Sequence, residues 1–280
     1  MMRTSTLQSK ENTGRQLQSA ITKRQRPKRP SAISATVTFA WRALLKIKYV
    51  PEQLFDITGF PIIYLLMFTY LFGGAIAGST EQYLQFLLPG ILVLTVVMIT
   101  MYTGVDLNKD VSKGIFDRFR ALPIWNPSVL TGALVIDILR YSVASIVIMT
   151  LGFILGFRPE GGLIGVVLAI FVLLFFAFSL SWIWTTLGLI MRTEKALMNF
   201  SMMILFPGTF ISNIFVDPES MPSFLQVIVE VNPVSIVVTA VRALMEGSAT
   251  FNQIIWAWIA SGMIIVIFAP LTMYFYRNKK

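Results

Sequence analysis

The sequence predicts an all-α membrane protein with six transmembrane helices and both termini on the cytoplasmic side. Two observations predict it. The 280 residues are 55% hydrophobic, with only 13% charged and a mean hydropathy of +0.72, against roughly 25% charge in soluble domains. The charges are also segregated. Of 23 Lys and Arg residues, 11 fall in residues 1–56, four in 109–120, two in 192–195 and three in 277–280. If basic segments stay on the cytoplasmic side, those four belong together, and an even number of spans is required.

Residues 1–33 are rich in Ser, Thr, Gln, Lys and Arg, contain "TKRQRPKRP" at 22–30 and have Glu11 as their one acid. Such a stretch cannot bury enough apolar surface to offset ordering entropy, so a disordered basic cytoplasmic tail is expected. A transit peptide would also be basic and acid-poor, but the Pro-interrupted run lacks amphipathic spacing, and no apolar h-region follows within the first 30 residues. The transmembrane domain then occupies 34–280. In "FAWRALLKIKYVPEQLFD" (39–56), Trp41, Leu44 and Leu45 share one helical face, while Arg42 and Lys46 lie on another. That suits an amphipathic elbow helix in the headgroup layer, ended by Pro51. The start of a long tilted first span is the competing reading.

Six stretches exceed the roughly 18 apolar residues of a span, at about 53–78, 82–107, 126–157, 161–191, 196–216 and 249–276. Pro61, Pro89 and Pro207 interrupt three of them, where neighbouring helices tolerate the lost hydrogen bond or the chain bends. Between the fifth and sixth, residues 217–250 are apolar but broken by Pro218, Pro222 and Pro233. A crossing there would put the basic C-terminus outside, so external re-entrant or capping helices are expected.

Three polar features stand out. "KGIFDRFRALP" (113–123), between spans two and three, sets Ile115, Phe116, Phe119 and Leu122 in one stripe and turns Asp117, Arg118 and Arg120 elsewhere. Lys113 and Asp117 can pair at four-residue spacing, and Pro123 stops the helix. Lipid or a protein groove would each satisfy that stripe. Asp137 and Arg140 lie three apart within the third span, where ionisable residues are costly. They read as a local salt bridge near the cytoplasmic mouth or as an element that admits substrate. On the external side, Asn232 before Pro233 supplies a helix cap, and Arg242 and Glu246 are spaced for an ion pair. A cap or subunit contact competes there with a gate over an exit.

Composition narrows the function classes. With no Cys and no His, disulfides, thiolates, the commonest metal ligand and the usual neutral-pH titrating group are all missing, which disfavours a membrane enzyme. The net charge of +9 does not mark a nucleic-acid partner, because the basic residues follow membrane topology and not one folded surface. An ion-coupled secondary transporter would place carboxylates or broken-helix sites at mid-membrane, yet five of the six spans carry no charge in their cores.

"DVSKGIFDRFRALPIWNPSVLTGALVIDILR" (110–140) and "FPGTFISNIFVDPESMPSFLQVIVEVNPVSIVVTAVRALMEG" (206–247) resemble the permeases of type-2 ABC exporters, especially the daunorubicin-resistance-like drug efflux subfamily. The resemblance covers roughly residues 35–276. It implies a six-span subunit in the cell membrane of a bacterium, paired with a second permease, identical or related, and with two copies of a cytoplasmic ATPase. It makes the helix over Gly114, Ile115, Phe116, Asp117, Arg118, Phe119, Arg120 and Leu122 the coupling helix that docks on the ATPase, braced by the elbow with Trp41, Arg42 and Lys46. The chain has no GxxxxGK[ST] phosphate-binding loop. It is therefore not an enzyme by itself and needs no cofactor, ATP and Mg belonging to the partner. The cargo implied is a drug-like or lipid-like amphiphile, with a cell-surface polysaccharide or lipid-linked glycan as the alternative.

Overall fold

The computed structural model describes residues 51–114 and 128–278, together with residues 31, 34, 36–38 and 41. Among the described residues every regular element is helical. In chain order they are α1 (Pro51–Met67), a π-helical turn (Phe68–Phe72), α2 (Gly73–Ala77), α3 (Thr80–Ser112), α4 (Ser128–Leu155), α5 (Gly162–Ile190), α6 (Glu194–Phe210), a 3-10 turn (Pro218–Ser220), α7 (Ser223–Val231), α8 (Pro233–Glu246) and α9 (Phe251–Asn278).

Five units are long and apolar enough to cross a bilayer: residues 59–76, α3, residues 132–155 of α4, α5 and α9. The bent pair α7–α8 raises the number to six if it is counted as one broken span. The stretch at 196–216 gives a shorter helix than its hydropathy suggests. α6 has 17 residues, about 25 Å at 1.5 Å per residue, and residues 211–216 are bends. The helix closes just after Pro207, with Ile211 N donating to the Pro207 carbonyl at 2.8 Å. The Asn232 side-chain amide takes up the Gly208 and Ile211 carbonyls at 2.7 Å each, so the helix end is satisfied by another element and need not continue.

α3 is the axis of the bundle. It packs against α1, α4, α5, α6 and α8, and 83% of its apolar window is buried, against 11% for α9 and 22% for the first span. Without water to drive association between helices, packing depends on close approach of small residues and on interhelical hydrogen bonds. The α3–α5 contact uses both. A Cβ on Gly104 would run into the Trp184 carbonyl, and one on Gly188 would lie 2.5 Å from the Gly104 carbonyl. Trp184 Nε1 donates to Thr100 Oγ1 at 2.8 Å, and the buried Asn108 amide donates to the Gly188 and Met191 carbonyls at 3.0 and 2.7 Å. Leu87, Leu88, Ile91, Phe176 and Val241 belong to the single large core around this seam.

The first span is irregular. The π turn widens it just after Met67 and buries Thr69, while the rings of Phe60, Tyr64, Phe68 and Phe72 follow one another at four-residue intervals, with centroids 5.3–6.5 Å apart. At the junction of α4 and α5, the Gln85 side chain donates to the Gly156 carbonyl and accepts from Arg158 N. The turn is thereby pinned to the first part of α3.

Candidate functional site

Polar chemistry concentrates at the two ends of α3. Near its C-terminal end, Arg140 of α4 lies between two carboxylates: Nη1 is 3.3 Å from Asp137 Oδ1 and Nη2 is 3.3 Å from Asp106 Oδ2. Arg140 and Asp137 are buried, with 6% of each side chain exposed, while Asp106 keeps 25%. Thr103 Oγ1 donates to Asp137 Oδ2 at 2.6 Å, Tyr141 Oη is 3.1 Å from Thr103 Oγ1, and Ser181 Oγ is 2.7 Å from Tyr141 Oη. Each hydroxyl has one hydrogen. Thr103 gives its own to Asp137, and Ser181 Oγ donates to the Ala177 carbonyl at 2.8 Å, so both neighbouring oxygens are acceptors for the one hydrogen of Tyr141. Thr103, Tyr141 and Ser181 thus tie α3, α4 and α5 together beside the Asp137 carboxylate. Asp137 and Arg140 share a face through their three-residue spacing. Asp106 and Thr103 come from another helix, more than 30 positions away, and no local pattern signals them.

Beyond this cluster the chain leaves α3 through Lys113 and a left-handed Gly114 (φ 65°), with Gly114 N donating to the Val111 carbonyl at 3.0 Å. Ile115, Phe116, Asp117, Arg118, Phe119, Arg120 and Leu122 lie outside the described residues, as do Arg42 and Lys46 of the elbow. Trp41 is described, in a helical conformation and 62% exposed.

At the other end of α3, about 30 Å away at 1.5 Å per residue, Arg242 of α8 is half-buried. Its Nε donates to the Phe86 carbonyl at 3.2 Å and its Nη2 to the Asn213 carbonyl at 3.0 Å. The guanidinium carbon lies 3.9 Å from the centre of the Phe86 ring, within cation–π range. The four-residue spacing to Glu246 suggests an ion pair, but the hydrogen bonds go to backbone carbonyls, which pin α8 to α3 and to the bend after α6. Tyr83 Oη adds a bond to the Phe215 carbonyl at 3.0 Å.

Asn232 sits at the elbow of α7 and α8, which meet at 81°. Its Oδ1 accepts from Val234 N at 2.9 Å, capping α8, with Pro233 at the first helical position. Its amide group meanwhile closes the end of α6. One side chain thus serves two helix termini, and Pro233 needs no donor there.

Between α7–α8 and α9 lies a cavity of about 760 Å³. Its walls include Val229, Ile236, Trp256, Ile259 and Met263, and Asn213, Ser235 and Thr239 supply polar groups. It carries no signal in the sequence, because its lining comes from three helices and a bend. No group of three or more His, Cys, Asp or Glu residues suited to a metal ion occurs among the described residues.

Residues 34–245 match the family described as ABC-2 type transporter. The chain is 50% identical over 274 residues to the daunorubicin resistance ABC transporter permease protein DrrB1 of Streptomyces coeruleorubidus, covering 98% of this chain and 97% of that one. It is 24% identical over 220 residues to a Mycobacterium tuberculosis protein named as a doxorubicin resistance ABC transporter permease, DrrC, covering 78% and 79% of the two chains. A family match over three quarters of its length and a full-length relative at 50% identity make this chain a member of the ABC-2 type transporter family.

Proposed function

We propose that this chain is the membrane-spanning permease subunit of an ABC exporter that moves amphipathic, drug-like molecules out of the cytoplasm or inner leaflet, driven by ATP hydrolysis on a separate subunit. The observation that carries this reading is the 50% identity, end to end, to a permease named for daunorubicin resistance. It favours the drug branch over the glycan branch.

In the full assembly two permeases, two cytoplasmic ATPases and the surrounding lipid form the working unit. The positive-inside rule places the Asp106–Asp137–Arg140 end of the bundle and both termini in the cytoplasm, and the α7–α8 pair on the outside. α6 then serves as the short fifth span and α7–α8 as the external re-entrant pair. Residues 1–33 form the basic tail and 34–280 the transmembrane domain. The coupling helix follows Gly114, where the left-handed turn directs the chain out of α3. ATP and Mg bind the partner, and closure of the ATPase pair pushes on Phe116 and Phe119 and biases the spans between inward and outward arrangements.

The test is co-purification of the full-length chain with its ATPase, followed by Phe116→Asp and Phe119→Asp. The expected outcome is loss of association or of permease-stimulated ATP hydrolysis, with membrane insertion intact. Unchanged association and coupling in both variants would refute the docking assignment.

A further inference from the structure

α6 presents a face that the other described residues leave uncovered. Ala196, Asn199, Met203, Phe206 and Phe210 are all exposed and follow one another at alternating three- and four-residue spacing, which puts them in a single stripe along the helix. Met203 is 73% exposed, Phe206 50% and Phe210 42%. The rings are held in place from behind. Phe206 stacks on Phe210 with centroids 4.8 Å apart, Phe210 on Phe215 at 5.2 Å, and Phe215 lies 4.6 Å from Phe68 of the π-helical turn. The Asn199 amide makes no hydrogen bond to any described residue.

Two features of this face call for protein, not lipid, as its cover. An amide in hydrocarbon needs a hydrogen-bond partner, and lipid tails offer none. The chain also leaves helical geometry at 211–216 while still beside the apolar run of α3. A Cβ on Gly90, about 15 Å along α3 from Thr80 at 1.5 Å per residue, would lie 2.7 Å from the Ile214 carbonyl. Ile211 and Val216 stay exposed at this bend, and irregular backbone at membrane depth is tolerated where protein surrounds it. By contrast, the exposed residues of α5 and α9 include Leu163, Ile164, Val167, Val266 and Ile267, aliphatic side chains on continuous helices that suit lipid. We infer that the α6 stripe is where a second copy of this chain docks. Two copies inserted alike run parallel about a twofold axis along the membrane normal, so each stripe residue near the axis meets its own counterpart. An Asn amide has both donors and an acceptor and is complementary to itself, and one Asn in an otherwise apolar seam fixes the register of the pair. That a second membrane subunit is present rests on the permease reading above; its docking on this face does not.

The experiment is disulfide trapping in membrane vesicles that hold the full-length chain and its ATPase. The chain has no Cys, so single-cysteine variants report without background. Ala196→Cys and Met203→Cys probe the stripe, and Phe171→Cys on α5 and Ile267→Cys on α9, both more than half exposed, serve as lipid-facing controls. Under copper phenanthroline, a dimer of this chain is expected to form about tenfold or more faster at a stripe position than at either control, because a docked pair is held within reach and lipid-facing positions meet only by collision. Adding Asn199→Leu to Met203→Cys should slow trapping about threefold or more, the scale of one interhelical hydrogen bond, while Asn199→Gln keeps an amide and most of the rate. Trapping at both stripe positions no faster than at the controls overturns the proposal, lipid or a different chain then being the cover. So does a rate that Asn199→Leu slows by less than about threefold. ATP-driven doxorubicin uptake into inverted vesicles is measured separately. Uptake by wild type with stripe trapping at the control level removes the docking face and leaves the exporter reading. Trapping at the stripe without uptake by wild type keeps the docking face and removes the exporter reading.

Discussion

Arg140 and Arg242 hold opposite ends of α3 by different means. Arg140 lies between Asp106 and Asp137, with its charge met by carboxylates. Arg242 has two backbone carbonyls and the face of Phe86. The first arrangement neutralises the guanidinium, and the residue can be 7% exposed. The second meets the guanidinium with dipoles in direct contact, the Glu246 and Asp217 carboxylates also acting on its charge, and Arg242 stays half-buried. A cation deep in an apolar bundle needs a counter-charge in direct contact, whereas one at the rim can be held by carbonyls and a π face with acids acting at longer range.

The difference has mechanical content. The Arg140 cluster joins side chains of α3, α4 and, through Tyr141 and Ser181, α5. Arg242 clips α8 to backbone atoms of α3 and of the bend after α6. Side-chain networks depend on the identity of every partner. Backbone carbonyls stay in place when neighbouring side chains change, so the Arg242 clip tolerates more variation around it.

The contrast predicts a hierarchy of effects. Arg140→Met leaves two carboxylates facing each other without a cation and should cost about 3–5 kcal/mol, read as thermal unfolding in lipid nanodiscs. Combining it with Asp137→Asn should restore much of that loss, and no recovery would mean that charge is not what holds the cluster. Arg242→Met keeps the aliphatic volume but frees the Phe86 and Asn213 carbonyls; about 1–3 kcal/mol is expected, with a gain in hydrogen exchange at α8. Asn232→Ala removes a cap and two carbonyl contacts, for about 1–2 kcal/mol, and should loosen α6 and α8 together in the same exchange experiment. Glu246→Gln should change stability by less than about 0.5 kcal/mol, the scale of an exposed pair, and a loss matching that of Arg242→Met would show that Arg242 depends on an acid after all.

Much of this fold is legible in the sequence because a bilayer imposes a simple rule: long apolar stretches become helices that satisfy their own backbone. The boundaries near 82–107, 161–191 and 249–276 lie close to α3, α5 and α9 for that reason. The stretch at 196–216 is the exception. Hydropathy registers its apolar content, but not that Asn232 would accept the end of the helix at Phe210.

For the candidate site the split is sharper. Three-residue spacing brings Asp137 and Arg140 within reach of each other, and Asn232 before Pro233 reads as a cap, because both relations live on one helix or one turn. Thr103 and Asp106 beside Arg140, the carbonyls around Arg242, and the cavity between α7–α8 and α9 are relations between helices. Composition and order along the chain determined that this protein is an apolar helix bundle with its positive charge gathered in a few segments, since transfer free energy depends on residue type alone. Only the tertiary structure decided which carboxylates and carbonyls meet each arginine, since those depend on distances between segments that are independent in sequence.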